Sequence, residues 1–344
     1  MPALATRITR ASPAAIEEAK AVLAAGGLVA FPTETVYGLG ADAADDAAVA
    51  RLYAAKERPS FNPLIVHVAD LAAARRVAAF DDTALRLAEA FWPGPLTLVL
   101  RRTASCPVGM LATAGLDTVA VRVPSHPVAR DILRAVGKPV VAPSANRSGR
   151  VSPTSADHVH ADLARRIDLI VDDGPSPLGV ESTILACFDG PALLRPGAVP
   201  RGVIERLLGR DIASPGAAQD VARPRAPGML ARHYAPRAAV RMNAVTVAPG
   251  EALLAFGPAL PADAERAETI LNLSERGLLV EAAANLFAHL RVLDSRGIGA
   301  IAVMPIPEEG IGEAINDRLR HAAAPRDLVR DEVRDLAARP RATR

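Results

Sequence analysis

Basic and hydroxyl-bearing residues fall repeatedly where apolar runs of this chain give way to loops. They are Lys56, Arg58, Arg122, Ser144, Asn146, Ser152, Ser182 and Arg195. Guanidinium forks hold carboxylates and phosphates through paired hydrogen bonds, and hydroxyls with backbone N–H groups complete such a shell. Several of these groups together would suit an anion larger than one phosphate. Taken singly, each is more simply a solvated charge or a turn serine, so their repeated placement beside strand ends is the argument. The stretch Val29 to Asp42, VAFPTETVYGLGAD, shows that placement first: an apolar strand stops at Pro32, and Thr33, Glu34, Thr35 and Tyr37 follow before Gly38 and Gly40. His67 lies inside the apolar run LIVHV, eleven residues after Lys56, where it is either a core histidine or a site lining. Tyr234 sits in RHYAP, inside a proline-rich stretch where a histidine–tyrosine pair suits a segment closing over a site.

Familiar catalytic signatures are absent. The chain has no GxxxxGK[ST] loop, no GxGxxG after a strand, no HExxH, no GxSxG and no clustered metal ligands. No protein-held metal site is expected.

The elements that must position these residues alternate along the chain. Helical patterns run from Ser12-Pro13 to Gly26-Gly27, over Asp46–Lys56, over Thr83–Phe91 and over His126–Val136. Between them lie strand patterns in LIVHV, LTLVLRR, TVAVRV, PVVA, DLIVD and STIL. From Asp211 to Pro236 the composition turns to proline, alanine and glycine without a period, which predicts a linker. A smaller α/β pattern follows: strands in ALLAFG, ETILNL and IGAIAV, with helices over Leu278–Arg296 and Ile311–Ala323. The expected division is therefore a first domain over residues 1–210, a linker or lid over 211–237, and a small domain over 238–344.

The 344 residues carry a formal net charge of +2 and only 3% aromatics, so neither a global basic surface nor abundant stacking rings argues for nucleic acid. Cys106 and Cys187 stand far apart in no CxxC pattern, which fits a reducing compartment. With no signal-type h-region and no membrane-length apolar run, a cytoplasmic location is expected.

In order and spacing, FPTETVYGLG, KERPSFNPLIVH, WPGPLT, GLDTVAVRVP, APSAN with SPT after it, GVESTI and LLRPG resemble the YrdC-like threonylcarbamoyl-AMP synthases. PGM…HYAP and GIGEAINDRL resemble the long, two-domain form of that family, and the likeness runs from Gly27 to Ala323. The resemblance implies an α/β fold, with a twisted mixed sheet and helices around a large cavity and a smaller Rossmann-like domain behind it. It implies that L-threonine, bicarbonate and ATP give threonylcarbamoyladenylate and pyrophosphate. A separate transferase complex would then pass the threonylcarbamoyl group to the adenosine beside the anticodon of certain tRNAs, so contact with tRNA would be indirect or weak. Mg2+ would be carried on the ATP phosphates.

Carried over by motif, Thr35, His67, Arg122 and Ser182, with the backbone at Ala142, would hold threonine. Arg58, Asn62, Thr118, Ser144, Asn146, Ser152, Arg195 and Tyr234 would hold ATP, while Lys56 and Arg58 would serve the chemistry at the phosphates. One departure concerns Leu230-Ala231, where relatives commonly carry a basic and an aromatic residue, which leaves the lid's grip to Arg232 and Tyr234. Two other functions are weighed. A non-catalytic RNA-binding protein is disfavoured by the charge and the few aromatics. A carbamoyl-phosphate-using relative is disfavoured because no acylphosphatase or zinc-finger segment is present.

Overall fold

Helices in this chain begin where a side-chain oxygen can satisfy the first free backbone N–H groups. Ser12 accepts from Ala15 N at 3.2 Å, and Pro13, with no N–H to satisfy, opens α1 (Pro13–Ala24). Asp45 caps α2 (Asp46–Lys56) through Ala47 N at 2.8 Å. Asp70 and Asp81 start α3 (Leu71–Val77) and α4 (Asp82–Phe91), and α5 (Pro127–Val136) ends at Gly137 with φ 68°. The structure, a computed structural model, describes residues 5–213 and 234–324.

Ten strands form one mixed, twisted sheet. From edge to edge they are β1 (Arg7–Arg10), β8 (Leu169–Asp172), β2 (Val29–Phe31), β3 (Gly38–Asp42), β7 (Val140–Val141), β4 (Ile65–His67), β6 (Thr118–Arg122), β5 (Leu96–Arg101), β9 (Thr183–Ala186) and β10 (Ala192–Arg195). Successive side chains on a strand point to opposite faces, and this alternation separates core from site. Val66, Val121, Leu98, Val141 and Leu185 turn to one face and pack with Leu52, Tyr53 and Leu87 of α2 and α4. Their neighbours Ile65, His67, Ala120 and Arg122 turn to the other, with Ile65 opposite Ala120 and His67 opposite Arg122 in the parallel pair β4–β6. The site is built on that second face.

Four parallel strands make the second sheet, in the order β11 (Ala239–Arg241), β14 (Ala300–Val303), β12 (Glu251–Ala255), β13 (Ile270–Asn272). Leu254, Ile301 and Val303 pack against Leu286, Phe287 and Leu290 of α8 (Leu279–Ser295) and Ile315 and Leu319 of α9 (Gly312–Ala323). Leu253, Ala255 and Ala302 on the opposite face are covered by Ala244, Val247 and Ala264. Both helices thus lie on one face, where a doubly wound sheet carries helices on both. Val36, Val151 and Val180 of the larger unit, with Tyr234 of the linker, join the α8–α9 core, so one apolar cluster spans both units.

The structure corrects several expectations. Gly38 to Asp42 is no loop: it is β3, antiparallel to β2, with Phe31 opposite Gly38 and Val29 opposite Gly40. His67 closes its strand instead of lying mid-strand. The sequence reading leaves β1, α3, α6 (Ala156–Leu163) and α7 (Arg201–Leu208) unassigned. These are four to eight residues long, shorter than the window of about 11 residues that periodicity needs. Of the expected linker, residues 211–213 and 234–237 are described, and Leu193 N donates to Ala213 O at 2.8 Å. Leu230, Ala231 and Arg232 lie outside the described residues.

Gly40 is required by the approach of its neighbours. A Cβ there would come within 2.8 Å of Phe31 Cε1 and 3.1 Å of Val29 O. Gly40→Ala should therefore cost about 1–3 kcal/mol by overpacking, read as a lower urea midpoint at unchanged slope; an unchanged midpoint would show that the ring simply rotates away.

Candidate functional site

Nine of the residues singled out from sequence line one cavity: Thr35, Arg58, His67, Arg122, Ala142, Ser144, Ser182, Arg195 and Tyr234. They arrive from eight separate stretches of chain, Ala142 and Ser144 alone sharing one. Thr35 sits in the loop between β2 and β3, where Thr33 Oγ1 bonds Val36 O at 2.6 Å and accepts from Thr35 N at 3.2 Å. Arg58 follows α2, whose C-cap Glu57 takes a left-handed φ of 53° and so turns the chain toward the cavity. His67 and Arg122 end adjacent strands, and Ser182 immediately precedes β9. Arg195 ends β10 and donates back to Ser182 O at 2.9 Å and to Ser182 Oγ at 3.2 Å.

The guanidiniums are buried and held. Arg122 donates to Glu34 Oε1 at 2.6 Å, to Thr35 Oγ1 at 3.0 Å and to Gly94 O at 3.2 Å, the last within the WPGP turn. Burial pushes the Glu34 carboxyl up, but the charge and hydrogen bond of Arg122 outweigh this and hold it below the usual range. Arg122 therefore meets any incoming carboxylate with three of its five N–H groups already engaged. Arg58 donates to Pro63 O at 3.0 Å, and burial brings it down to about 10, which leaves it charged at neutral pH. Burial, reinforced by the Arg122 charge, drops His67 to about 3, so its imidazole is neutral at physiological pH.

Lys56, Asn62, Thr118, Asn146 and Ser152 do not line this cavity. Lys56 is fully buried, and its ammonium donates to Ser144 O and to Asn146 O, pinning the APSAN loop. Burial and the nearby Arg58 charge, against the pull of Asp162, leave its pKa well below the ordinary lysine value. Asn62 lies just after Arg58, and neither its Oδ1 nor its Nδ2 has a hydrogen-bond partner among the described residues. A buried amide with both ends unmet is the kind of group a ligand satisfies. Asn146 Nδ2 bonds Arg147 O and Arg150 O at 2.9 Å each, while its Oδ1 meets no partner among the described residues. Thr118 begins the strand that Arg122 ends and shares its face.

The cavity volume is about 40 Å³, room for a few waters and far below the roughly 300–1,000 Å³ of ligand pockets. Tyr234 occupies one wall, 1% exposed, its ring stacked on Phe287 at 5.5 Å.

Residues 21–197 match the Sua5–YciO–YrdC family model, described as telomere recombination, and residues 199–324 match the threonylcarbamoyl-AMP synthase C-terminal domain. The threonylcarbamoyl-AMP synthase of Pyrococcus abyssi is 40% identical over 337 residues, covering 90% of this chain and 95% of its own. That of Bacillus subtilis is 40% identical over 327 residues, covering 90% and 93%. The chain belongs to the threonylcarbamoyl-AMP synthase family. The crystal structure of P. abyssi Sua5 complexed with L-threonine superposes with a TM-score of 0.82 at 38% identity, over 93% of this chain and 97% of that one.

In this family member, Val36, Ile65, Pro143 and Glu181 also line the cavity and were not singled out from sequence. Glu181 was the more legible of these, since it lies beside Ser182 in GVES, while Glu34, behind the cavity in the polar run PTET, was given no site role. Their role depends on arginines 88 and 137 positions away, which no local pattern displays.

A pH effect follows from His67. Its folded pKa lies near 3 against an ordinary 6.5, so between these values the unfolded chain takes up a proton that the folded chain refuses. Stability should fall as pH drops from 6.5 toward 3, and His67→Asn should flatten that slope in urea midpoints taken across the range. An equal slope in the variant would place the sensitivity on other groups.

Proposed function

We propose that this cavity makes L-threonylcarbamoyladenylate and pyrophosphate from L-threonine, bicarbonate and ATP. The observation that carries the reading is the convergence of Arg58, Arg122 and Arg195 with a neutral His67 and the Ser144 and Ser182 hydroxyls on one buried face. It occurs in a chain 40% identical to threonylcarbamoyl-AMP synthases over nearly its whole length.

The chemistry asks for positioning more than for a nucleophile. Threonine's amine adds to carbon dioxide to give a carbamate, and a carbamate oxygen then attacks the α-phosphorus in line with departing pyrophosphate. Arg122, Thr35, His67, Ser182 and the backbone at Ala142 form the threonine wall. The neutral imidazole of His67 accepts a hydrogen bond from the amine or hydroxyl, and the unused N–H groups of Arg122 meet the carboxylate. Arg58, Ser144 and Arg195 face the phosphates, with Asn62, Thr118, Asn146 and Ser152 reached as the nucleotide extends beyond the present cavity. Lys56 acts through the loop it pins, keeping Ser144 and Asn146 in place.

ATP enters as its magnesium complex. The described residues contain no group of three or more His, Cys, Asp or Glu able to hold a metal, and the two carboxylates at the cavity, Glu34 and Glu181, are already bound to arginines. This donor set fits a metal held by the phosphates themselves. Substrates of this size require the Tyr234 ring to withdraw, and its return would keep the carbamate from water. The domain division 1–210, 211–237 and 238–344 matches this use, with the middle segment as the lid. No helix among the described residues is long and apolar enough to cross a membrane. In this reading the enzyme works in the cytoplasm and hands its adenylate to a tRNA-modifying transferase.

Pyrophosphate release tests the reading. It should require ATP, threonine and bicarbonate together; release independent of threonine would assign another acyl acceptor, and no release from folded protein would overturn the synthase reading. Serine should replace threonine with a loss of about 1–3 kcal/mol in kcat/KM, the worth of one methyl, and equal use of both amino acids would contradict a methyl pocket. Arg58→Ala should abolish release while leaving the melting midpoint within a few degrees, whereas early melting with activity intact would remove Arg58 from the phosphate site.

A further inference from the structure

The small domain reaches into the cavity wall at one point. Arg318 of α9, in the run GIGEAINDRL, is completely buried and donates from Nε to Glu181 Oε2 at 2.7 Å. Its other nitrogens bond Pro196 O at 3.0 Å and Asp317 Oδ2 at 2.5 Å, and its guanidinium lies 5.1 Å from the centre of the Tyr234 ring. The far oxygen of Glu181 accepts from Ser152 Oγ at 2.6 Å. Glu181 shares the cavity wall with Ser182 and Arg195. One guanidinium thus touches the GVES and LLRPG loops of the larger unit and the tyrosine of the linker.

A second observation is independent of charge. Gly179, which opens GVES, has φ +70°, and a Cβ there would fall 2.4 Å from Ala283 O and 2.5 Å from the Cα of Ala284. The backbone of α8 therefore rests directly on the loop that carries Glu181 and Ser182. The small domain is seated on the motif by both of its helices.

We propose that Arg318 is a positioning residue for the ATP half of the site, so that nucleotide binding requires the small domain to be docked. The proposal rests on the assignment of Ser152 and Arg195 to ATP. Glu181 is a negative charge in a wall meant for phosphates, and Arg318 neutralises it from behind. Burial pushes its carboxyl up, but the Arg318 and Arg195 charges and the hydrogen bonds from Arg318 and Ser152 hold it ionised. Without Arg318 the carboxylate has Arg195 as its nearest remaining cationic partner, which withdraws that guanidinium from the nucleotide and leaves Ser152 unanchored. Threonine rests on the Arg122–His67 wall as well as on Ser182, to which Arg195 donates, so its binding changes much less than that of ATP.

The test is a charge rescue in the full chain, with pyrophosphate release measured against ATP and threonine separately. Arg318→Gln should raise KM for ATP about tenfold or more, with KM for threonine within about twofold. Because that variant strands a buried carboxylate, the decisive protein is the double variant Glu181→Gln, Arg318→Gln, which places two neutral amides together. It should recover most of the ATP affinity, and Arg318→Lys, which keeps the charge, should fall between. A double variant no better than Arg318→Gln, or a rise in both KM values in step with earlier melting, would show a merely structural residue and overturn the proposal. Arg195→Ala separates the two readings: an unchanged KM for ATP there would remove the nucleotide assignment and the proposal with it. A raised value there with a normal Arg318→Gln enzyme would overturn the proposal alone.

Discussion

Charges taken out of water must be answered by opposite charges or hydrogen bonds, and this constraint organises the whole molecule. Arg58, Arg122, Arg195 and Arg318 are all buried, as are Glu34 and Glu181. Two ion pairs, Arg122–Glu34 at 2.6 Å and Arg318–Glu181 at 2.7 Å, bring these charges together. Backbone carbonyls at Pro63, Gly94, Ser182 and Pro196 take up further N–H groups. Each carbonyl belongs to a proline- or glycine-bearing turn or to a strand entry, where the chain has acceptors not used by a sheet ladder. The motifs are thus acceptor platforms for arginines carried by other parts of the chain.

That arrangement suits the reaction. An adenylate-forming site must surround several negative charges and keep a water-sensitive carbamate dry, which calls for fixed dipoles and cations already in place. A sheet packed on α2 and α4 across one face, and on α1 and α5 across part of the other, supplies the rigid floor. The remaining part of that second face carries the site residues His67, Arg122 and Ala142.

Much of this was legible in the chain itself. The helix Asp46–Lys56 is written by an aspartate cap and an apolar face, and the structure gives the same bounds. The strand at Val29–Phe31 and the proline that ends it were equally plain. The next strand was not: in Gly38–Asp42 the glycines that read as a loop are there because β2 and β7 lie too close for side chains. Glycine marks conformational freedom in sequence, but here it marks contact. Residues of the site divide likewise. Those within motifs, such as Thr35 and Ser182, reach the cavity, whereas Lys56 turns beneath it onto the carbonyls of Ser144 and Asn146.

The sequence by itself determined the alternation of elements, the caps that bound the longer helices and the motifs that mark the family, because each depends on neighbours within a few residues. Only the tertiary structure decided which charges meet. Glu34 finds Arg122 across 88 positions and Glu181 finds Arg318 across 137, and the second pair ties the small domain to the cavity wall. Such partnerships, like the seating of α8 on Gly179 and of Phe287 on Tyr234, are fixed in the packed molecule. A linear chain, with every charge in water, carries no trace of them.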